Sequence, residues 1–133
     1  MIDLKGVVHF SIPVSDLAVS RKFYTEIVGL KLVRDGSAFG MVFLQAGDDH
    51  VILAKSEQPI TRSKTDSRRA HHAFKVDADQ YEATKVFLAG KGVEVFEEED
   101  RKTGVFVGRQ CYIRDPDGTV IEFTEWNGIS VLD

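Results

Sequence analysis

Apolar and polar residues alternate along the first patterned segment of the chain, residues 7–14. Phe10, Ile12 and Val14 fall on one face of this segment. His9 falls on the opposite face. A period of two residues is typical of a β-strand that is buried on one side. We therefore predict a first strand whose polar face carries His9.

A helical pattern follows this strand. Asp16 is a suitable N-cap, apolar residues recur after it at helical spacing, and Gly29 is a suitable end of the helix. Three strand-like runs come next, separated by turn residues. They span residues 30–34, 39–46 and 50–54. The first half of the chain is thus predicted to have the order β, α, β, β, β.

The same order of elements restarts at residue 70. A strand is predicted at residues 70–76, and an amphipathic helix at residues 79–91 is expected to end at Gly92. The helix residues expected to face inward are Tyr81, Thr84, Val86 or Phe87, and Leu88. Three further strands are predicted at residues 93–97, 105–114 and 119–126. The turn that joins the last two strands is Asp115-Pro116-Asp117-Gly118.

These patterns predict an α+β fold made of two tandem βαβββ modules. Module 1 covers about residues 5–54 and module 2 about residues 70–126, with a polar linker at about residues 55–69. A chain of 133 residues is too short for two independent domains of ordinary size. We therefore expect one domain that spans residues 1–133.

The repeat assigns equivalent positions in the two modules. The first strands superpose at an offset of 62 residues, which places His9 on His71 rather than on His72. The last strands superpose at an offset of 70 residues, which places Ile52 on Glu122. The offsets therefore select His71 as the partner of His9 in the repeat.

Two imidazoles and one carboxylate are predicted to point from three strands toward one concave surface. His9 and His71 lie opposite the apolar faces of their strands, and Glu122 alternates with the apolar Ile121 and Phe123. Such a ligand set holds a divalent transition metal and leaves coordination positions open for a substrate. Each residue alone has a plainer interpretation, as a partly buried polar histidine or a solvent-facing glutamate. Their joint placement at equivalent positions favours the metal site.

Composition and charge limit the classes of function. The chain is 43% hydrophobic with a net charge of −4, and its basic residues are scattered apart from a loop cluster at residues 62–69. This distribution gives little support to nucleic-acid binding. The acidic run at residues 97–100 is expected to be a solvated loop, and the single Cys111 is interpreted as a small buried hydrophobe. No segment has the length of a membrane span, so a soluble cytoplasmic protein is expected.

The order and spacing of these segments resemble the vicinal oxygen chelate superfamily, which includes glyoxalases, fosfomycin-resistance enzymes, bleomycin-resistance proteins, epimerases and ring-cleaving dioxygenases. The matching stretches cover nearly the whole chain and are residues 8–17, 23–30, 71–76 and 112–122. The resemblance implies a glyoxalase/bleomycin-resistance/dioxygenase-type fold with a cupped mixed β-sheet. It also places the metal ligands that the family shares at His9, His71 and Glu122.

Departures from the family patterns narrow the reaction. Glyoxalases that resemble this chain use a fourth ligand at the position of Ile52, whose side chain cannot bind a metal. His50 lies two residues before Ile52 and on the same face of its strand, so it is a candidate for substrate binding in the cleft. The alternative is that His50 is a solvated histidine at the start of the strand. The tail motif of extradiol dioxygenases fits residues 112–122, but the upstream histidine of that signature is missing. These departures weigh against a glyoxalase and weaken the dioxygenase interpretation.

Fosfomycin-resistance enzymes place a hydroxyl residue and a tyrosine where this chain has Ser11 and Tyr112. These two are the expected catalytic residues, with a structural role as the alternative for Tyr112. The family receives its substrate in a positively charged pocket, and the candidates for that charge here are Lys75, Arg109, Arg114 and the loop residues Arg62, Lys64, Arg68 and Arg69. Gln110 shares the strand parity of Tyr112 and is a further candidate for substrate binding.

The resemblance implies a divalent-metal-dependent enzyme that chelates a small substrate through two oxygens. The nearest types are a fosfomycin-resistance-type transferase or hydrolase and a glyoxalase-like lyase, with Mn, Fe, Ni or Zn as the metal. Two alternatives stay open: an Fe(II) extradiol ring-cleaving dioxygenase, and a bleomycin-resistance-like protein that sequesters a small molecule without catalysis. Family members of this length usually form dimers, so a homodimer with composite sites is expected, His9 of one chain joining His71 and Glu122 of the other.

Overall fold

A computed structural model describes residues 1–58, 60 and 70–132. Its contacts divide the chain into two units, Met1–Thr61 and Arg62–Asp133. Each unit carries one copy of the βαβββ order, so the predicted α+β fold class is confirmed. Most of the predicted linker and the basic loop cluster lie outside the described residues. That the two units form one domain stays a prediction.

The first unit is built from four strands and one helical segment. Its strands are β1 (His9–Val14), β2 (Lys31–Gly36), β3 (Met41–Ala46) and β4 (Asp49–Lys55). Helix α1 (Leu17–Lys22) continues directly into a π-helical turn, Phe23–Val28. A 3₁₀ turn, Ser37–Phe39, precedes β3, so this strand begins two residues later than the sequence predicts.

The helical segment of the first unit begins and ends where the sequence predicts. The Asp16 side chain accepts a hydrogen bond from the Val19 N–H at 3.0 Å, which satisfies one of the unpaired donors of the first turn. Gly29 has a φ of 94°, a left-handed conformation that glycine adopts without steric cost. Ser20 and Tyr24 are buried, whereas Val19 is half exposed. The inward-facing residue of the first turn is therefore Ser20.

The second unit repeats this architecture. Its strands are β5 (His71–Lys75), β6 (Glu97–Arg101), β7 (Gly108–Arg114) and β8 (Val120–Thr124). A 3₁₀ turn, Ala78–Gln80, leads into helix α2 (Tyr81–Gly90). The predicted hairpin turn between β7 and β8 is confirmed. Its Asp115 carboxylate accepts hydrogen bonds from the backbone N–H groups of Asp117 and Thr119 at 2.9 and 2.8 Å.

Helix α2 buries fewer residues than its sequence pattern predicts. Tyr81 and Leu88, about two turns apart, are its buried residues. The expectation that Val86 or Phe87 faces inward is wrong, since their exposed fractions are 73% and 44%. These two positions lie about 200° and 100° around the helix from Leu88, outside its narrow buried face. Neither α2 nor any other helix in the described residues is long and apolar enough to cross a membrane.

Strand β6 lies further along the chain than predicted. The strand expected at residues 93–97 and the solvated loop expected at residues 97–100 are both wrong, because the acidic residues themselves form β6. This strand is at the edge of its sheet, where charged side chains reach solvent. Lys85 of α2 lies 2.8 Å from the Glu98 carboxylate, which offsets part of the repulsion within the acidic run.

The strands form two four-stranded mixed sheets, one in each unit. The strand order is β1-β4-β3-β2 in the first sheet and β5-β8-β7-β6 in the second. In each sheet the first strand is parallel to the last, and the other pairs are antiparallel. Ser11 pairs with Ile52, and Ala73 pairs with Glu122. These registers confirm the repeat offsets of 62 and 70 residues.

Cys111 lies on the side of β7 that α2 covers, close to Tyr81. Its side chain is fully buried, and burial raises the pKa of the thiol to about 11. Burial also raises the pKa of the Tyr81 hydroxyl above its ordinary value. A buried, protonated thiol is a weak nucleophile, which agrees with the interpretation of Cys111 as a small hydrophobe.

We expect Cys111 to lower the stability of the folded protein at alkaline pH. Its thiol has an ordinary pKa of 9.0 and a pKa of about 11 in the folded chain. The unfolded chain therefore loses this proton first, and stability falls as pH rises through that window, by at most ~2–3 kcal/mol. Urea unfolding at about pH 8 and about pH 10.5 measures the loss, which should be smaller in Cys111→Ala. Equal losses in the two proteins would contradict this expectation.

Candidate functional site

One side of the second sheet forms the wall of a cavity of about 470 Å³. Residues on this side alternate along the strands with residues on the α2 side. The cavity is lined by His71, Ala73, Lys75, Arg101, Phe106, Gln110, Tyr112, Glu122, Thr124 and Trp126. Gln110, Tyr112, Glu122 and Thr124 are each at most 9% exposed. The floor of the cavity is therefore a buried polar surface.

Two of the three predicted metal ligands lie next to each other on this wall. His71 Nε2 is 3.3 Å from Glu122 Oε1. The two residues come from neighbouring parallel strands, and Ala73, two residues after His71, pairs with Glu122. The exposed fraction is 9% for the Glu122 side chain and 32% for the His71 side chain. An imidazole nitrogen and a carboxylate oxygen thus converge at a partly buried point on the cavity.

A chain of hydrogen bonds positions Tyr112 beside this pair. Tyr112 pairs with Glu122 across β7 and β8, and its ring meets the His71 ring edge-on with centroids 6.0 Å apart. The Tyr112 hydroxyl donates to Gln110 Oε1 at 3.3 Å. Gln110 Nε2 donates in turn to the Phe106 carbonyl at 2.9 Å. The backbone therefore orients the amide, and the amide orients the phenol.

Lys75 and Arg101 bring positive charge to the cavity. Lys75 is predicted as a substrate-binding residue, and the structure places it on this wall, paired with Thr124 of β8. Arg101, at the end of β6, was not predicted. Its Nε donates to the Glu99 carboxylate at 2.8 Å, which neutralises part of its charge. Lys75 is therefore the cavity cation that can act most directly on an anionic ligand.

The structure places Arg109 and Arg114 away from this cavity, contrary to their expected role in substrate binding. Arg109 lies on the α2 side of β7, where it donates to Glu125 at 2.5 Å and stacks over the Tyr81 ring at 4.7 Å. Arg114 has the parity of the cavity residues, but its guanidinium lies over the Phe96 ring at 4.4 Å. Gln110, the next residue of β7, lines the cavity, whereas Arg109 does not, because successive strand residues point to opposite faces of the sheet.

The first unit has a corresponding concave side that carries His9. A cavity of about 370 Å³ is lined there by His9, Arg34, His50 and Ile52 together with apolar side chains. His9 and His50 are register neighbours on the parallel strands β1 and β4. Ser11 is exposed on the side of β1 that carries His9. The apolar Ile52 stands where the second unit has Glu122.

The predicted ligand set is divided between the units. The second unit holds His71 and Glu122, and the first holds His9. Within the described residues, no three His, Cys, Asp or Glu side chains gather into one group that could hold a metal. The structure thus brings together two of the three candidates and shows His9 at the equivalent place in the other sheet.

Thr124, Phe106 and Trp126 complete the cavity wall but were not predicted as site residues. Strand alternation could have found Thr124, because it shares the face of Glu122. The predicted strands at residues 105–114 and 119–126 include Phe106 and Trp126, but β7 and β8 are shorter and leave both residues in loops. Their place in the cavity depends on how two loops meet.

The fold and the site define a class of proteins: tandem βαβββ units with a histidine, a glutamate and a tyrosine on the concave side of a mixed sheet. The chain belongs to the Glyoxalase/Bleomycin resistance protein/Dioxygenase superfamily, whose sequence profile matches residues 6–123. The resemblance to the vicinal oxygen chelate superfamily is thereby confirmed.

Similar proteins include two transferases and a fosfomycin resistance protein. The chain is 27% identical over 119 residues to the metallothiol transferase FosB of Staphylococcus epidermidis, covering 90% of this chain and 82% of FosB. It is 29% identical over 119 residues to the glutathione transferase FosA of Serratia marcescens, covering 90% and 79%. A mutant of FosX, a fosfomycin resistance protein from Listeria monocytogenes, was solved with Mn(II) and 1S,2S-dihydroxypropylphosphonic acid. It is 19% identical, with coverage of 92% and 91% and a TM-score of 0.73, and this likeness confirms the fold.

Proposed function

We propose that this chain is a divalent-metal-dependent enzyme that binds a small substrate through two oxygens, nearest in type to the fosfomycin-resistance transferases and hydrolases. The observation that carries the proposal is the approach of His71 Nε2 and Glu122 Oε1 to 3.3 Å, with the Tyr112 ring beside them. The relatives named as a metallothiol transferase and a glutathione transferase support the same assignment.

The donor atoms on the cavity wall fit a divalent transition metal. Imidazole nitrogen and carboxylate oxygen are ligands that suit Mn, Fe, Ni and Zn. Their separation of 3.3 Å allows one ion to contact both, because such bonds are about 2.0–2.2 Å long. His71, Glu122 and His9 would hold the ion, which supplies Lewis acidity to the substrate oxygens when bound.

Tyr112 is the proposed catalytic residue on this wall. Its hydroxyl, which donates to Gln110 Oε1 in the free protein, would turn from Gln110 and donate its hydrogen bond to the oxyanion that develops when a thiol or water attacks an epoxide carbon. In that step the new S–C or O–C bond forms, the epoxide C–O bond breaks, and the proton of the nucleophile ends on the new hydroxyl. Lys75 would attract an anionic group of the substrate, and Ser11 stays the proposed hydroxyl residue of the first unit.

A homodimer with composite sites is part of the proposal. Val8 and Val33, which line the cavity that carries His9, are 76% and 53% exposed. Large apolar side chains beside a ligand position are expected to be covered by protein. A second copy of the chain would cover them and would bring its His9 to the His71–Glu122 pair.

Reconstitution with Mn(II) tests the enzyme assignment. We expect one Mn(II) per chain, measured by loss of the electron paramagnetic resonance signal of free Mn(II). We also expect Mn(II)-dependent consumption of an epoxide phosphonate with a thiol present, followed by phosphorus NMR. Consumption without thiol would assign a hydrolase. Failure to bind Mn(II), Fe(II), Ni(II) and Zn(II) would contradict the proposal and favour a protein that only sequesters its ligand.

Mixing two inactive variants tests the composite site. His9→Ala and His71→Ala would each lack a ligand in both sites of a homodimer. A mixed dimer with one copy of each would regain one complete site, formed by His9 of one chain and His71 of the other. Recovery of Mn(II) binding after mixing and subunit exchange is therefore expected. An unchanged loss in a verified mixed dimer would show that all ligands come from one chain.

A further inference from the structure

One end of the cavity in the second unit is aromatic. Phe106 and Trp126 meet edge-to-face, with ring centroids 4.9 Å apart and an interplanar angle of 84°. Both line the cavity, and Phe106 is 54% exposed. Aromatic side chains contribute large apolar areas with a defined geometry. This pair, with Phe106 exposed and Trp126 half-buried, offers a surface inside the cavity that a flat apolar group can cover.

Contacts between the loop before β7 and the C-terminal segment hold the aromatic pair in place. Gly104 and Val131 exchange two backbone hydrogen bonds, at 2.8 and 3.0 Å. The Ser130 hydroxyl donates to a carbonyl of the same loop at 2.6 Å. Trp126 Nε1 donates to the Ile129 carbonyl at 2.9 Å, so its one polar group is already satisfied. The aromatic surface is therefore preorganised, and little conformational entropy is lost when a ligand packs on it.

The aromatic pair lies well away from the metal-binding pair along the strand direction. Trp126 follows Glu122 by four residues, two of them beyond the end of β8, and four residues of extended chain span at most about 13 Å. Lys75, in register with Thr124, lies between these two ends on the cavity wall. A three-carbon phosphonate held by His71 and Glu122 is shorter than this span and would leave the aromatic pair uncovered.

We propose that this cavity takes an organic anion that carries an aromatic ring. Its anionic oxygens would face the wall formed by His71, Glu122 and Lys75, and its ring would pack on Phe106 and Trp126. The assignment rests on the proposed function, because that function places the oxygens of the ligand at the His71–Glu122 pair. It adds a class of substrate that the ligand set alone does not specify.

Trp126 is the single tryptophan of the chain, so its fluorescence reports on this cavity. We expect phenylphosphonate to quench it and to bind the Mn(II)-loaded protein about tenfold more tightly than methylphosphonate, with both affinities measured by calorimetry. Phe106→Ala should bring this ratio close to one. Phe39→Ala removes an equally exposed phenylalanine of the first unit, 54% exposed, and should leave the ratio unchanged.

The outcomes separate this proposal from the proposed function. Equal affinities for the two phosphonates in the Mn(II)-loaded protein would overturn the aromatic ligand and leave the metal-dependent enzyme intact. If no Mn(II) binds, the proposed function fails. The ratio of the affinities for phenylphosphonate and methylphosphonate is then measured in the metal-free protein. A preference for phenylphosphonate that disappears in Phe106→Ala then supports the aromatic subsite. Absence of that preference overturns it.

Discussion

Replacing His71 with alanine is expected to lower the affinity for Mn(II) by at least about 100-fold and to abolish metal-dependent turnover. Removing an outer-shell partner of a metal ligand already costs about 10–100-fold in affinity, and loss of a ligand atom costs more. The variant removes the imidazole nitrogen that lies 3.3 Å from Glu122 Oε1. Titration with Mn(II), followed by electron paramagnetic resonance, measures the loss.

His72→Ala is the matched control for this experiment. His72 is the next residue of β5 and pairs with Ile121, so its side chain points to the opposite face of the sheet. We expect this variant to bind Mn(II) with the affinity of the unmodified chain, provided that its circular dichroism shows a folded protein. The assignment of His71 would be wrong if both variants kept their affinity, or if only His72→Ala lost it.

Replacing Leu88 with alanine is expected to lower the free energy of unfolding by about 2–5 kcal/mol, which is the cost of deleting a buried leucine side chain and leaving a cavity. Leu88 is fully buried on α2, two turns after the buried Tyr81. Urea unfolding monitored by the fluorescence of Trp126 measures the effect, because this tryptophan lies in the same unit as α2.

Val86→Ala is the control for the helix. Val86 lies on the same helix two residues earlier and is 73% exposed. Its replacement removes almost no buried surface, so we expect a change within about 0.5 kcal/mol. A large loss of stability in Val86→Ala would mean that this face of α2 is covered in solution, for instance by a second copy of the chain.

Much of the candidate site could be predicted from the sequence because strand geometry is local. The two-residue period alone placed His71 on the face opposite His72, and it placed Glu122 opposite Ile121. The repeat then related two strands that are far apart in sequence, and the observed registers confirm its offsets. No knowledge of packing was needed for these predictions.

The partners of the charged residues could not be predicted in this way. Arg109 was expected to bind a substrate, but its guanidinium forms an ion pair with Glu125 on the α2 side of the sheet. The acidic residues of β6 were expected in a loop. They form a strand because Lys85 pairs with Glu98 and because the strand is at the sheet edge, where its charged side chains reach solvent. Coulombic partners depend on distances between elements, which a local period does not contain.

The sequence by itself determined the βαβββ repeat, the faces of the residues in β1, β5 and β8, and the helix that begins at Asp16, because each of these follows from local spacing and backbone preference. Only the tertiary structure decided which side chains of one face come together. It brought His71 and Glu122 to 3.3 Å, oriented Tyr112 through Gln110, and added an aromatic pair from two loops to the same cavity. The physical reason is that such contacts are set by strand pairing and loop packing across the sheet, between residues up to 51 positions apart, His71 and Glu122.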